Sequence, residues 1–355
     1  MNLQEIPKEN GLLTKEFGAK LLSELKKKPD FYTFNKGIIY SHRDFDKFFM
    51  SLEKGEKCAI VSGLNASGTL HLGHKPVFDT NLFFQRKYNL PIFIPISDDE
   101  SYVAGKVDTQ EEALENSKKL AKELIAYGFD PKRTYFIIDQ IYTNIYNLAI
   151  KLSRKVTLSE IKATYGYTMD NNPGLFFYPT VQSAHILFPN EFMNIKNILV
   201  PIGPDEDSHI RICRDIASRA GYIKPSIVHV KFFPGLDGEK MSKSRDNAIF
   251  FSDDEKTIRK KVNKAYSGGA KTMEEHRKVG GKPEEDVSIF YLKNLFLEDK
   301  ESNKIIEKYR KGELLSGEVK KILADEIIKF LEEFQKRLKN VEMKQLDNSI
   351  LKNKV

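Results

Sequence analysis

At 355 residues, with 40% apolar and 30% charged side chains and no run of 18 apolar residues, the chain is expected to fold as a soluble protein without a membrane span, and its opening MNLQEIPKENG is not expected to be a secretory leader. Cys58 and Cys213 form no CxxC pair, which speaks against a disulfide framework or a zinc–thiolate site and suits a reducing, cytoplasmic setting. The net charge of +7 favours a polyanionic partner, although a lysine-rich surface alone would give the same figure.

In chain order, residues 1–30 offer a polar segment and one short amphipathic stretch, FGAKLLSELKKK. FYTFNKGIIYSHRDFDKFF is aromatic and β-branched around a glycine, which predicts a short hairpin leading into a helix with Ser41 or Asp44 near its N-cap. Apolar runs then predict strands at 58–63, 90–97, 134–139, 197–203 and 227–233. Between them lie helical patterns, including TQEEALENSKKLAKELIAYGF, closed by Gly128. Wholly apolar strands separated by helices imply an α/β fold, a doubly wound parallel sheet covered on both faces. Such a sheet binds ligands at the carboxyl ends of its strands, beside a topological switch point. From about residue 255 the strand signals stop and a helical bundle is expected, followed by a polar, fraying tail over 341–355.

Four stretches carry candidate chemistry. GTLHLGH (68–74) follows the first strand and opens a helix, where free N–H groups and the helix dipole suit a phosphate. His71 and His74 can donate to phosphate oxygens, and Gly73 lets a flat base approach the backbone. Core packing and metal ligation are the competing readings, the latter lacking a neighbouring third ligand. GLDGEKMSKS (235–244) follows the fifth strand, with Gly235 and Gly238 ahead of Lys240 and Lys243, which are interleaved with Ser242 and Ser244; it is fit to close over a triphosphate, or to be a solvated basic loop. Past the fourth strand, PIGPDEDSHIRICRD offers Asp205 to ribose hydroxyls, with Glu206 behind it, unless Asp205 and Asp207 only cap the next helix. In ISDDESYV (96–102), one of Asp98, Asp99 and Glu100 can hold an ammonium group while the others cap a helix.

HLGH behind the first strand, KMSKS behind the last and a helical bundle thereafter together resemble the class I aminoacyl-tRNA synthetases. GIIYSHRDFDKFF, VTLSEIKATYGYT, FFYPTVQSAHILFP, DEDSHIRICRDIASRAGY, AYSGGAKTMEEHRKVGG and LSGEVKKILADEI resemble the tryptophanyl group of archaea and eukaryotes, over roughly residues 30–335. The resemblance implies an N-terminal extension (1–55), a Rossmann-like catalytic domain (56–250) with a connective insertion about 100–190, and a helical anticodon-binding domain (251–340) before the polar tail (341–355). It implies that His71, His74, Lys240 and Lys243 act on the ATP phosphates. Gly73, Gly203, Asp205, Met241, Ser242 and Ser244 would complete the ATP site. Gln182, Glu100, Glu206, Ile60 and Gly63 would form the amino-acid site, with Glu206 facing the substrate ammonium. ATP with Mg²⁺, L-tryptophan and tRNA(Trp) would be the substrates of a homodimer with no structural metal and no membrane contact.

The same resemblance favours tryptophan over tyrosine. Tyrosyl enzymes of the archaeal kind place an aspartate three residues after the glutamine matching Gln182, and here that position is His185. A site built for a phenol must present a polar partner to it. The chain departs from the tryptophanyl pattern at Asn65, Glu206 and Ser208. Ile60 and Pro95 stand where some relatives carry the tyrosine and glutamine that touch the indole, so the indole N–H has no assigned acceptor. A tyrosyl enzyme, an inactive tRNA-binding paralogue and a nucleotidyltransferase without an RNA partner are the alternatives. Cys58, Cys213 and His229 are expected to be core residues, and His42 to pack the hairpin.

Overall fold

A computed structural model describes residues 13–15, 17–239, 241 and 245–353. The strands are β1 (Lys20–Leu21), β2 (Ile39–Arg43), β3 (Cys58–Val61), β4 (Leu64–Asn65), β5 (Ile92–Ser97), β6 (Thr134–Ile138), β7 (Asn197–Ile202) and β8 (Ser226–Val230). They form one sheet in the order β1-β2-β8-β7-β3-β5-β4, with β6 paired to β5. The run from β8 through β7, β3 and β5 to β6 is parallel. The chain leaves β3 toward β5 and β6, then returns to the other side of β3 for β7 and β8. The switch point therefore lies between β3 and β7, and a crevice opens beyond their carboxyl ends.

Side-chain alternation along these strands builds two cores. Cys58, Ile60, Ile92, Ile94 and Ile96 join one apolar cluster, while Ala59, Val61 and Phe93 join the other. The first face is covered by helices Lys75–Tyr88, Gln110–Tyr127, Glu255–Asn263 and Ser316–Lys339; the second by Ile145–Ser153, Pro173–Met193 and Asp207–Ala220. Both faces of the parallel strands are thus dry, which is why their sequences read as unbroken apolar runs. Helix Gln110–Tyr127 begins on the Thr109 hydroxyl, which accepts the Glu112 N–H at 3.1 Å, and closes at Gly128 with φ 126°. Cys58 and Cys213 are both buried and unbonded to each other.

Two local expectations are corrected. The predicted hairpin is not one: Tyr32–Asn35 is a single helical turn, and β2 pairs antiparallel with β8 and with β1. The partners of β2 are distant in sequence, so no local turn signal announces them. The polar tail does not fray over its described length. Met343–Ser349 is helical, Ile350 is 7% exposed, and the Leu351 N–H donates to the Phe136 carbonyl at 2.9 Å. The Asn353 amide donates to Thr143 Oγ1 at 2.7 Å. The tail covers the free edge of β6, where unpaired backbone groups would otherwise face outward. From Glu255 onward the described elements are helices, and their apolar residues, among them Ile258, Leu323, Ile327 and Phe330, pack into the same cluster as the sheet.

Candidate active site

The crevice at the switch point is a cleft of about 550 Å³. His71, Gly73, His74, Gly63, Glu100, Gln182, Gly203, Asp205, Glu206 and Met241 all line it. Ile60 does not. It is fully buried and faces the opposite core, because the strand's alternation gives the cleft position to Val61. Lys240, Ser242, Lys243 and Ser244 lie outside the described residues.

At one end, the segment after β3 turns into helix Lys75–Tyr88 through a single 3₁₀ turn, Leu72–His74. The Gly73 N–H donates to His71 Nδ1 at 3.1 Å, which places the neutral ring's proton on Nε2. The His71 N–H reaches His74 Nδ1 at 3.1 Å, and the ring centroids stand 4.0 Å apart. Burial lowers the His74 imidazole to about 4, so it is neutral near pH 7. A Cβ at Gly73 would sit 2.9 Å from the His71 ring and 3.1 Å from Met241 Sδ, so only glycine fits between them.

Met241 comes from the second motif, and the backbone stitches that region to the first. The Leu72 N–H donates to the Ile249 carbonyl at 3.0 Å, and the Phe251 N–H to the Leu70 carbonyl at 2.9 Å. Segments distant in sequence therefore form two lips of one cleft.

Beyond β7, a Cβ at Gly203 would lie 2.7 Å from Asp205 Oδ1, so the glycine leaves room for that carboxylate. Asp207 is not merely a cap. Arg43 grips it with Nε at 2.7 Å and a terminal nitrogen at 2.8 Å, and His229 Nε2 stands at 2.8 Å. His229 Nδ1 meets Ser41 Oγ at 2.8 Å, so this buried core histidine is satisfied on both nitrogens. Burial alone would raise the Asp207 carboxyl, but His229 and Arg43 outweigh it and hold it well below the carboxylate range. The knot ties β2, β8 and the start of helix Asp207–Ala220 together and so fixes Asp205 and Glu206 at the cleft wall. His42 is buried and its Nδ1 accepts the Phe45 N–H at 3.3 Å, a packing role.

The other end is acidic and polar. Glu100 is bonded by Lys106 at 2.7 Å and by the Asn65 amide. Tyr165 donates to Gln182 Oε1 at 2.8 Å, and its ring stacks on His209 at 4.1 Å. His209 Nδ1 stands 3.2 Å from Glu206 Oε2. Burial would raise the Glu206 carboxyl, but His209, Lys106 and the Gln182 amide together bring it below its usual value, so it is ionised. The Glu206 side chain keeps 46% of its surface exposed, against 12% for Glu100. Glu206 is therefore the carboxylate more open to an incoming cation. Asn65, Lys106, Tyr165, Tyr178 and His209 were not singled out as site residues from the sequence. Tyr165, Tyr178 and His209 lie in stretches the sequence singled out, but only the fold brings these side chains to the cleft.

Behind this end, Asp98, Asp99 and Asp139 each place an oxygen within 4.8 Å of the others, a geometry able to hold a cation. Asp98 already accepts the Asp139 and Gln140 N–H groups at 2.8 and 3.3 Å. Asp139 Oδ1 meets His185 Nε2 at 2.7 Å. Burial, then the charge of Asp139, raises Asp99 to about 8. Burial also raises the Asp139 carboxyl well above its usual value, and its Oδ2 is buried without a hydrogen-bond partner.

The family model described as tRNA synthetases class I (W and Y) matches residues 53–332. The tryptophan–tRNA ligase of Methanocaldococcus jannaschii is 40% identical over 340 residues, covering 91% of this chain and 90% of that protein. The cytoplasmic tryptophan–tRNA ligase of Saccharomyces cerevisiae is 34% identical over 364 residues, covering 97% and 84%. The solved tryptophanyl-tRNA synthetase of Aeropyrum pernix K1 superposes with a TM-score of 0.89 at 32% identity, with 100% of each chain covered. A parallel sheet with its cleft at the switch point, two motif-bearing lips and these relatives agree: the chain belongs to the class I aminoacyl-tRNA synthetases, in the tryptophanyl group of archaea and eukaryotes.

Proposed function

We propose that the protein joins L-tryptophan to ATP, giving tryptophanyl-adenylate and pyrophosphate, and then passes the tryptophanyl group to tRNA(Trp). In the first step a carboxylate oxygen of the amino acid attacks the α-phosphorus and the bond to the bridging oxygen breaks, releasing pyrophosphate. In the second, a hydroxyl of the terminal adenosine attacks the activated carbonyl and AMP leaves. Neither step needs a protein nucleophile; both need alignment and charge neutralisation.

The observation that carries this reading is the junction of the two lips, with Met241 against Gly73 and the 249–251 segment hydrogen-bonded to the 70–72 segment. MgATP would enter there, with His71 and His74 donating to its phosphates and Gly73 beside the base. Lys240 and Lys243, flanking Met241 in the sequence, would neutralise the leaving pyrophosphate, with Ser242 and Ser244 beside them. Gly203 and Asp205 would receive the ribose. The substrate's ammonium group would meet Glu206 and Gln182, near Glu100 and Gly63. The helical part, residues 251–340, would read unpaired anticodon bases by stacking and edge contacts.

A homodimer is part of the same reading. Ile150, Phe192 and Ile223 are 60%, 40% and 53% exposed, and each adjoins a member of the hydrogen-bonded trio Lys151, Glu191 and Tyr222. Such an apolar patch suits an isologous contact. Pyrophosphate exchange with tryptophan and with tyrosine, followed by charging of tRNA, tests the activity. Exchange dependent on tyrosine and not on tryptophan overturns it.

A further inference from the structure

We propose that His185, held by Asp139, is the group that receives the indole N–H and so sets the specificity of the amino-acid site. This rests on the tryptophan reading above and deepens it.

Among the described residues, the apolar lining of the cleft, including Val61, Pro95, Val200 and Ile202, offers no side-chain acceptor for an N–H. Several of the polar side chains there are already engaged. Glu100 is taken by Lys106 and Asn65, Gln182 Oε1 by Tyr165, and Tyr178 meets Ser97 Oγ at 3.1 Å. Glu206 is held beside His209 and, in the reading above, would be taken by the substrate ammonium.

His185 differs. Its ring lines the cleft yet is only 2% exposed, and its Nε2 is turned away to Asp139 Oδ1 at 2.7 Å. Asp139 Oδ1, 2.7 Å away, is placed to take the Nε2–H. A neutral imidazole that donates through Nε2 is an acceptor at Nδ1. The charged form is disfavoured because burial lowers this imidazole to about 4, against the opposing pull of Asp99 and Asp98. His185 therefore offers the cleft a fixed, neutral acceptor, and Asp139 and Asp99 act as positioning residues behind it.

The placement suits an amino acid with a long flat side chain. Gln182 and His185 stand one helical turn apart on Pro173–Met193 and both line the cleft. One would hold the amino end while the other meets the ring nitrogen.

The test compares L-tryptophan with its benzothiophene isostere, in which sulfur replaces the N–H, in ATP–pyrophosphate exchange. A buried acceptor left unpaired rejects the wrong ligand, so the unaltered protein is expected to prefer tryptophan by about 10²-fold or more in kcat/KM. His185→Leu is expected to bring the ratio to within about fivefold of unity, mostly through KM for tryptophan, and His185→Gln to restore part of it. Asp139→Asn should weaken the preference without removing it.

A second readout needs no folded variant. With the histidines ¹⁵N-labelled in the unaltered protein, saturating tryptophan should shift the His185 Nδ1 resonance and the isostere should not. Equal activity of the two amino acids in the unaltered protein, the full preference in His185→Leu, or identical ¹⁵N shifts each overturn the proposal. Absence of tryptophan-dependent exchange in the unaltered protein, with another amino acid supporting it, instead retires the tryptophan reading itself.

Discussion

At the nucleotide end of the cleft, one turn of chain supplies His71, Gly73 and His74, and a few hydrogen bonds between neighbours fix both rings. At the opposite end, Glu100, Tyr165, Gln182, His185, Glu206 and Asp139 come from five separate segments, and each is held by a side chain from another part of the fold or a neighbouring turn. The first kind of site can be compact in sequence because the phosphate proposed for it, a ligand common to many reactions, would be held by backbone and imidazole donors. The second, as the proposed amino-acid site, would have to exclude every wrong amino acid, a task that suits its dependence on many partners. Damage at the nucleotide end should therefore cost rate, and damage at the other end should cost affinity, selectivity or the fold itself.

The sharpest way to break this contrast is at Asp207, which fixes the wall carrying Asp205 and Glu206. Asp207→Ala leaves Arg43 and His229 buried without their carboxylate and should destabilise the protein by about 3–5 kcal/mol in denaturant unfolding. A loss below about 1 kcal/mol, the range of a surface ion pair, would mean the knot contributes little. Next in size, Lys240→Ala should slow adenylate formation by about 10²–10³-fold while sparing tryptophan binding. Equal losses in both would make that lysine structural and would erase the division between the two ends.

A smaller effect is expected at Glu206. Glu206→Gln should raise KM for tryptophan by about tenfold, the cost of one charge-assisted hydrogen bond, with a lesser change in kcat. An unchanged KM removes Glu206 from the ammonium. The weakest and broadest prediction concerns acid. His74 and His185 are both lowered to about 4 by burial, so the unfolded chain binds protons on them first as pH falls below about 6.5. Stability should fall progressively between about pH 6.5 and 4. Asp44 works in the next window. Burial would raise its carboxyl, but Arg214 and Lys47 bring it to about 2, so its contribution is present above about pH 4 and is lost as pH falls through 2. Asp99, raised to about 8 by burial, favours the folded state as pH falls and opposes this loss, so the check is made in Asp99→Asn, where a thermal midpoint flat from pH 7 to 4 would show that both imidazoles protonate without cost.

The doubly wound sheet was legible because strands buried on both faces must be apolar throughout, as in Cys58–Val61 and Ile92–Ser97. The cap at Thr109 and the stop at Gly128 were legible for the same local reason. The placement of Tyr32–Asn35 was not, because aromatic residues around a glycine suit a strand or a turn equally, and the sheet partners of β2 lie elsewhere in the chain. The docking of Ile350 and Leu351 on β6 was hidden because the surrounding tail is polar and only its few apolar residues touch the edge. Ile60 and Val61 show a finer limit: reading a strand locates a pair of neighbours at the cleft, and only the direction of the pleat decides which of them reaches it.

By itself, the sequence determined the parallel sheet, the positions of the two motif loops and their assignment to one ligand-binding edge, because hydrophobic periodicity and contiguous motifs are local properties. Tertiary structure alone decided that Asp207 locks Arg43 to His229, that Tyr165 orients Gln182, and that Asp139 turns the His185 ring. Those bonds join residues with no neighbouring signal, and their strength comes from burial in a medium that only the folded chain creates.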